Sequence, residues 1–285
     1  MLNSMTRGKK KVENKVMKNR VYQPKKKSTP SHQKRNQHIP MPKMNLPQTM
    51  RLNRLIALTT ELSRRAADEA IEKGRVILNG AVITKLATQV DPSKDHVKLD
   101  GRNLTLPKRF TYVAFYKPPL CLVTKSDPKG RNTIWDHLSK FKNSLNSVGR
   151  LDFETEGLLL LSDDGDFIQH LTHPKHEFWK TYQIKVSGKP SRHTLDELRQ
   201  GVELEDGKTL PAKVSSVREG EEHSWIEVSI REGKNRQLRC MCDAVGHPVI
   251  RLRRIAVGSL KIGRLKKGAW RFLNAKEIAS LKNML

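Results

Sequence analysis

The sequence predicts an α+β protein: a small helix–helix–hairpin unit followed by a larger unit built on a mixed or antiparallel sheet. Three observations carry this. Residues 50 to about 106 give two amphipathic helical stretches and then an Asn-Gly hairpin. From about residue 109 onward, alternating strand patterns outnumber helical ones. No regular βαβ alternation with Gly-rich phosphate loops appears, which argues against a doubly wound parallel sheet.

Residues 1–49 are of a different character. They hold 13 Lys and Arg, including Lys9-Lys10-Lys11 and Lys25-Lys26-Lys27, against the single acid Glu13. Pro24, Pro30, Pro40, Pro42 and Pro47 interrupt them, and large apolar residues are few. Such a stretch buries too little surface to offset its ordering entropy, so a disordered basic tail is expected here. Its expected use is a counterion-releasing arm on a polyanion.

The small unit, 50–107, begins with Leu52, Leu55, Ile56 and Leu62 at helical spacing. Ser63 is placed to cap a second helix through Ala66, Ala67, Ala70 and Ile71, which Gly74 ends. Asn79-Gly80 then supplies the two positive φ angles of a type I′ turn between Arg75–Leu78 and Ala81–Thr84. Val97-Lys98-Leu99 with Asp100-Gly101 adds a further strand and turn. Arg51, Arg54, Arg64, Arg65 and Arg75 surround these elements, with Lys73 beside them.

In the larger unit, 108–285, Tyr112–Tyr116 and Trp225–Ile230 read as strands, and Thr194–Gln200 as a helix with Thr194 and Glu197 in capping-box spacing. Lys234–Val245 reads as a helix that faces Leu238, Met241, Cys242 and Val245 inward. Asp163-Asp164-Gly165-Asp166 is expected to form a hairpin turn. It lacks the alternate acids and distal Glu of a calcium loop. The segment 102–108, with Pro107, is a candidate hinge. His170, His173 and His176 are spaced too loosely, around Pro174, for a zinc helix motif.

The net charge of +26, from 55 Lys+Arg against 29 Asp+Glu, points to a polyanionic partner, nucleic acid before membrane surface. The longest apolar run is Leu158–Leu161, so no membrane span is expected. Cys121, Cys240 and Cys242 are too few and oddly numbered for a disulfide framework and suit a reducing cytoplasm.

The most informative segment is Gly149-Arg150-Leu151-Asp152-Phe153-Glu154-Thr155-Glu156-Gly157 and the four leucines that follow it. It sets a carboxylate and a guanidinium on a turn beside an apolar strand. The segment resembles the catalytic loop of the RNA pseudouridine synthases, in particular those of the ribosomal small- and large-subunit uridine modifiers. Three further motifs resemble that family in order: Tyr116-Lys117-Pro118-Pro119, Lys180-Thr181-Tyr182, and Glu232-Gly233-Lys234-Asn235-Arg236-Gln237-Leu238-Arg239. The small unit, through Arg-Leu-Asn-Arg at 51–54, Ser-Arg-Arg-Ala-Ala-Asp at 63–68 and the Asn-Gly hairpin, resembles the S4-like RNA-binding module.

The resemblance implies that uridine is isomerised to pseudouridine in ribosomal RNA, free or in an assembling subunit, with large-subunit RNA preferred. It implies Asp152 as nucleophile, Tyr182 as stacking platform and Arg239 as the ion-pair partner of Asp152. Lys117, Arg150, Lys234, Arg236, Leu238 and Leu252 would shape the pocket or hold substrate, with Lys117 in support. Arg51, Arg54, Arg64, Arg65 and Arg75 would grip RNA backbone. Cys240 stands where the family often has another Arg. The isomerisation involves no redox change or net hydrolysis, so no cofactor and no metal is expected, and a cytoplasmic monomer suffices. The rival readings are a catalytically silent RNA-binding assembly factor and, more distantly, a metal-dependent nuclease using the acids near Asp163.

Overall fold

The computed structural model describes residues 46–283; the basic tail expected over 1–49 lies almost wholly outside them. The small unit runs β1 (Met50–Arg51), α1 (Leu52–Thr59), α2 (Arg64–Glu72), β2 (Val76–Leu78), β3 (Ala81–Ile83), β4 (Gln89–Val90), β5 (Val97–Leu99) and β6 (Arg102–Asn103). Ser63 caps α2 as expected, its Oγ accepting from Ala66 N at 3.1 Å. Asn79 and Gly80 both take positive φ, so the hairpin turn forms as the sequence requires. Leu52, Leu55, Ile56, Ala67, Ala70 and Ile71 pack into one core beneath the hairpin. Part of the expected hinge is structured: Arg102–Asn103 is a strand, and Leu104 and Leu106 pack on that core.

The larger unit contains β7 (Tyr112–Lys117), β8 (Asn146–Val148), β9 (Glu156–Ser162), α3 (Gly165–Thr172), β10 (Lys180–Ser187), α4 (Arg192–Gln200) and β11 (Lys213–Arg218). It continues with β12 (His223–Ile230), α5 (Gln237–Ala244), β13 (Val249–Val257), β14 (Leu260–Lys261), β15 (Trp270–Phe272) and α6 (Ala275–Lys282). Nine strands form one sheet in the order β11-β12-β10-β13-β9-β7-β15, with β14 on β13 and β8 on β9. Among these pairs only β13–β9 is parallel, and it lasts two residues, Arg253 with Glu156 and Arg254 with Gly157. There the carbonyl oxygen of Arg254 would lie 2.2 Å from a Cβ at residue 157, and φ is +114°. Only glycine fits that junction.

Because strand side chains alternate, Leu159 and Leu161 face one core with Tyr182, Ile184, α4 and α5. Leu158 and Leu160 face a second core with α3 and α6. Three local expectations need correction. The helix read from Thr194 begins at Arg192 and is capped by Ser191, whose Oγ accepts from Thr194 N. The helix read from Lys234 begins at Gln237, because Arg236 is left-handed (φ 49°) and breaks the first turn. Asp163–Asp166 is a helix start, not a hairpin: Asp164 caps α3 through Phe167 N and also accepts from Tyr112 Oη and Lys282 Nζ. An acid pair before Gly reads equally as a turn or a cap, and the apolar face of Phe167 and Leu171 decides it.

The two units touch. Arg54 Nη2 pairs with Asp166 at 2.5 Å, Asn143 Nδ2 donates to Glu61 at 3.2 Å, and Leu46 and Leu58 pack against both cores. Arg54, expected on RNA, is thus committed to α3. Arg51, Arg64, Arg65 and Arg75 remain exposed, Arg75 in a two-point contact with Asp100.

Candidate active site

β8 and β13 lie on the same flank of β9, and between them the sheet opens into a pocket of about 410 Å³. Arg150, Lys180, Tyr182, Arg231, Lys234 and Arg254 line it. The loop 149–155 joins β8 to β9 at its mouth. Thus the position of Asp152 follows from the topology: it sits on the short connection across the break in the sheet.

One buried cation fixes that loop. Lys117, fully inaccessible to solvent, donates from Nζ toward the carbonyl oxygens of Pro118 (3.1 Å), Asp152 (3.0 Å), Phe153 (3.2 Å) and Thr155 (2.8 Å). Burial pulls its ammonium down to about 8, against the partial support of nearby Cys121, Asp152 and Glu156. Lys117 therefore does not meet substrate; it holds the loop backbone. The Asp152 carbonyl also accepts from Thr155 N at 3.1 Å. Its half-buried carboxylate makes no hydrogen bond or ion pair among the described residues.

Lys117→Met should take one donor from each of three loop carbonyls, leave that of Thr155 with none, and loosen the position of Asp152. We expect single-turnover rate to fall about 100-fold with a folded protein by circular dichroism. A rate within threefold of wild type would discard this role. The sign of its pH linkage is set by the lowered value. The unfolded chain holds this proton up to about 10.5 and the folded chain only to about 8, so stability gained from this group rises with pH across that window. The variant should lack that rise.

A second buried network, which sequence reasoning missed, begins four residues on. Glu156, 1 % exposed, accepts from Arg251 Nε, Lys267 Nζ (2.6 Å) and Tyr116 Oη (3.3 Å). Burial alone would push its carboxyl up, but the hydrogen bonds and charges of Arg251 and Lys267 outweigh that and hold it below the ordinary range. A lone acid starting an otherwise apolar strand was the available signal. Also missed were Arg254, buried with Nε donating to Leu158 O at 2.8 Å, and Lys180 as a pocket residue. Burial and the Arg254 charge bring the Lys180 ammonium down to about 8.

The remaining expected residues divide. Tyr182 is buried on β10 in the same core as Leu151, Leu238 and Leu252, so the four are brought together. Arg239 is buried on α5, but its ion pair is with Glu154 at 3.4 Å, not with Asp152, and Nη1 reaches Val249 O at 3.5 Å. The loop turns at Phe153, which presents the next acid to the guanidinium. Lys234 lines the pocket, yet its Nζ is held by Asp206 and Gly207 oxygens. Arg236 is exposed. Glu232 and Gln237 serve the helix start: Gln237 Nε2 donates to Glu232 at 2.6 Å, and Lys234 N donates to Gln237 Oε1 at 3.1 Å. Cys240 is exposed, whereas Cys242 is buried and its thiol pushed up to about 12. Among the described residues, no group of three or more His, Cys, Asp or Glu is arranged to hold a metal.

A sheet split beside an acid-bearing loop, with a buried Tyr and a cluster of cations lining the opening, suits a polyanionic substrate. Comparison agrees. The family model for RNA pseudouridylate synthase matches residues 111–244, and that for the S4 domain matches 50–97. A ribosomal large subunit pseudouridine synthase B of Bacillus subtilis is 39 % identical over 81 % of this chain and 95 % of its own length. An uncharacterized RNA pseudouridine synthase of Aquifex aeolicus is 38 % identical over 81 % and 93 %. A pseudouridylate synthase crystal structure, 29 % identical, superposes with a TM-score of 0.59 over 81 % of this chain and 99 % of that one. The chain belongs to the RNA pseudouridine synthase family, with an S4 domain preceding the synthase fold.

Proposed function

We propose that the protein isomerises uridine in large-subunit ribosomal RNA, with Asp152 as nucleophile and Tyr182 as the platform for the extruded base. The observation that carries the roles is the Asp152 carboxylate, left without a partner on a loop whose backbone Lys117 pins. The large subunit is favoured by the relative from B. subtilis, which is matched along 95 % of its length.

In the reaction the C1′–N1 bond breaks and C1′–C5 forms, while the proton leaves C5 and N1 gains one. The carboxylate serves it at the anomeric carbon, at the ring, or through a glycal-like intermediate. Arg150, Lys180 and Arg254 supply positive charge around the phosphates and the base. Arg239 acts through Glu154 and the Val249 carbonyl to fix the loop's far side. The S4 unit adds backbone grip through Arg51, Arg64, Arg65 and Arg75, and Arg236 extends it. The chain acts as a monomer in the cytoplasm; no helix among the described residues is long and apolar enough to cross a membrane.

Tritium release from ribosomal RNA labelled at uracil C5 tests this directly. Release from large-subunit RNA but not small-subunit RNA is expected. Release from neither, as free RNA or particles, would leave the silent RNA-binding factor.

A further inference from the structure

Half of the large sheet is covered on one face only. Along β11, β12, β10 and β13 the burial alternates: Ile226, Val228, Ile184, Val186 and Leu252 point to the core beneath α4 and α5. The intervening side chains emerge on the opposite face, where no helix of the described residues packs. Strand register lines them up across the sheet. Arg218 stands beside Trp225, Trp225 beside Lys185, and Lys185 beside Arg251. In the next row Glu227 adjoins Gln183, which adjoins Arg253.

We infer that this outer face is a second RNA-binding platform, for a single-stranded segment flanking the target uridine. The inference rests on the RNA pseudouridine synthase reading above. Four points support it. An indole half-exposed on a flat antiparallel sheet offers a stacking surface to any base, as duplex-bound bases cannot use it. It lies within a row of three cations, of which Arg251 is bound to Glu156; the two rows hold two carboxylates, the partly exposed Glu227 and the buried Glu156 beside Arg253. Lys185 and Arg218 make no ion pair among the described residues, so both are available to phosphates. The 13 basic residues of the N-terminal stretch share the sign of this face and are no complement to it.

The path to the site is short. Arg231, one residue beyond the end of β12, lines the catalytic pocket, and Trp225 lies six residues back, about 20 Å along the strand. Between them Trp179 carries Lys213 at 4.4 Å and Arg231 at 5.2 Å over its ring, a second aromatic–cation site toward the pocket end.

The test uses the full chain and large-subunit ribosomal RNA free of protein. Trp225→Ala and Lys185→Glu should each raise KM about tenfold with kcat unchanged, since neither touches the pocket. Trp225→Phe should recover most of the loss, and Lys185→Glu should flatten the salt slope of filter binding by about one. Filter binding is read on the same variants, so the platform is judged even if no tritium is released. Affinity and KM within twofold of wild type in both variants would overturn the proposal. A defect seen on assembled particles but not on free RNA would also overturn it, and would assign the face to a protein.

Discussion

Asp152→Asn should lower turnover by more than about four orders of magnitude while leaving RNA affinity and melting temperature near those of the intact protein. The side chain is close to isosteric, and the carboxylate it replaces has no hydrogen bond or ion pair among the described residues. The structural work at this position is done by the backbone, whose carbonyl accepts from Lys117 Nζ at 3.0 Å and from Thr155 N at 3.1 Å. Beyond its partial support of the buried Lys117 ammonium, nothing in the fold depends on the lost charge. The neighbouring acid gives the contrast. Glu154, exposed and tied only to Arg239 at 3.4 Å, should tolerate Gln with a loss of at most about tenfold. If the two substitutions had equal effects on tritium release, the nucleophile would have to be sought elsewhere on the loop. A melting temperature lowered by Asp152→Asn would show a structural role that the geometry denies.

The sequence made some of this plain and concealed the rest for identifiable reasons. Local chemistry was legible: Ser63 as a cap, Asn79-Gly80 as a turn, and the alternation of β12 follow from short-range rules. Leu151, Tyr182 and Leu238, drawn from three of the four motifs, share one core with Leu252. Charge was the poor guide. Arg54, Lys234 and Arg239 read as hands for RNA or for the nucleophile and Lys117 as support for the pocket, and each is committed to a protein oxygen. An arginine's sequence neighbours do not say which carboxylate will face it when that carboxylate is over 80 residues away, as Glu154 is from Arg239. Glu156 was hidden for the same reason, since its partners Tyr116, Arg251 and Lys267 come from three separate parts of the chain. The registered row Arg218–Trp225–Lys185–Arg251 exists only once the strands pair.

Gly157→Ala should be among the most damaging single-methyl changes in the molecule. The added Cβ would lie 2.2 Å from the Arg254 carbonyl oxygen and 2.7 Å from its amide nitrogen, both backbone atoms with no rotamer to yield. The φ of +114° adds strain that alanine cannot avoid. Relief requires β9 and β13 to separate, yet their parallel contact is only two residues long and joins the two halves of the sheet. On one side of that junction stand the loop and Asp152; on the other stand Tyr182 and Leu252, through β10 and β13. We expect a loss of about 4 kcal/mol or more, a fall in melting temperature of about 10 °C, and turnover reduced beyond what instability explains. Measured well below the new melting point, a fully active variant would mean that the strands part without moving the loop. The same measurement on Gly233→Ala, where an added Cβ meets nothing within 4 Å, should show little change in stability. The comparison isolates close backbone approach as the reason for glycine at 157, since both glycines lie within motifs that resemble the family's.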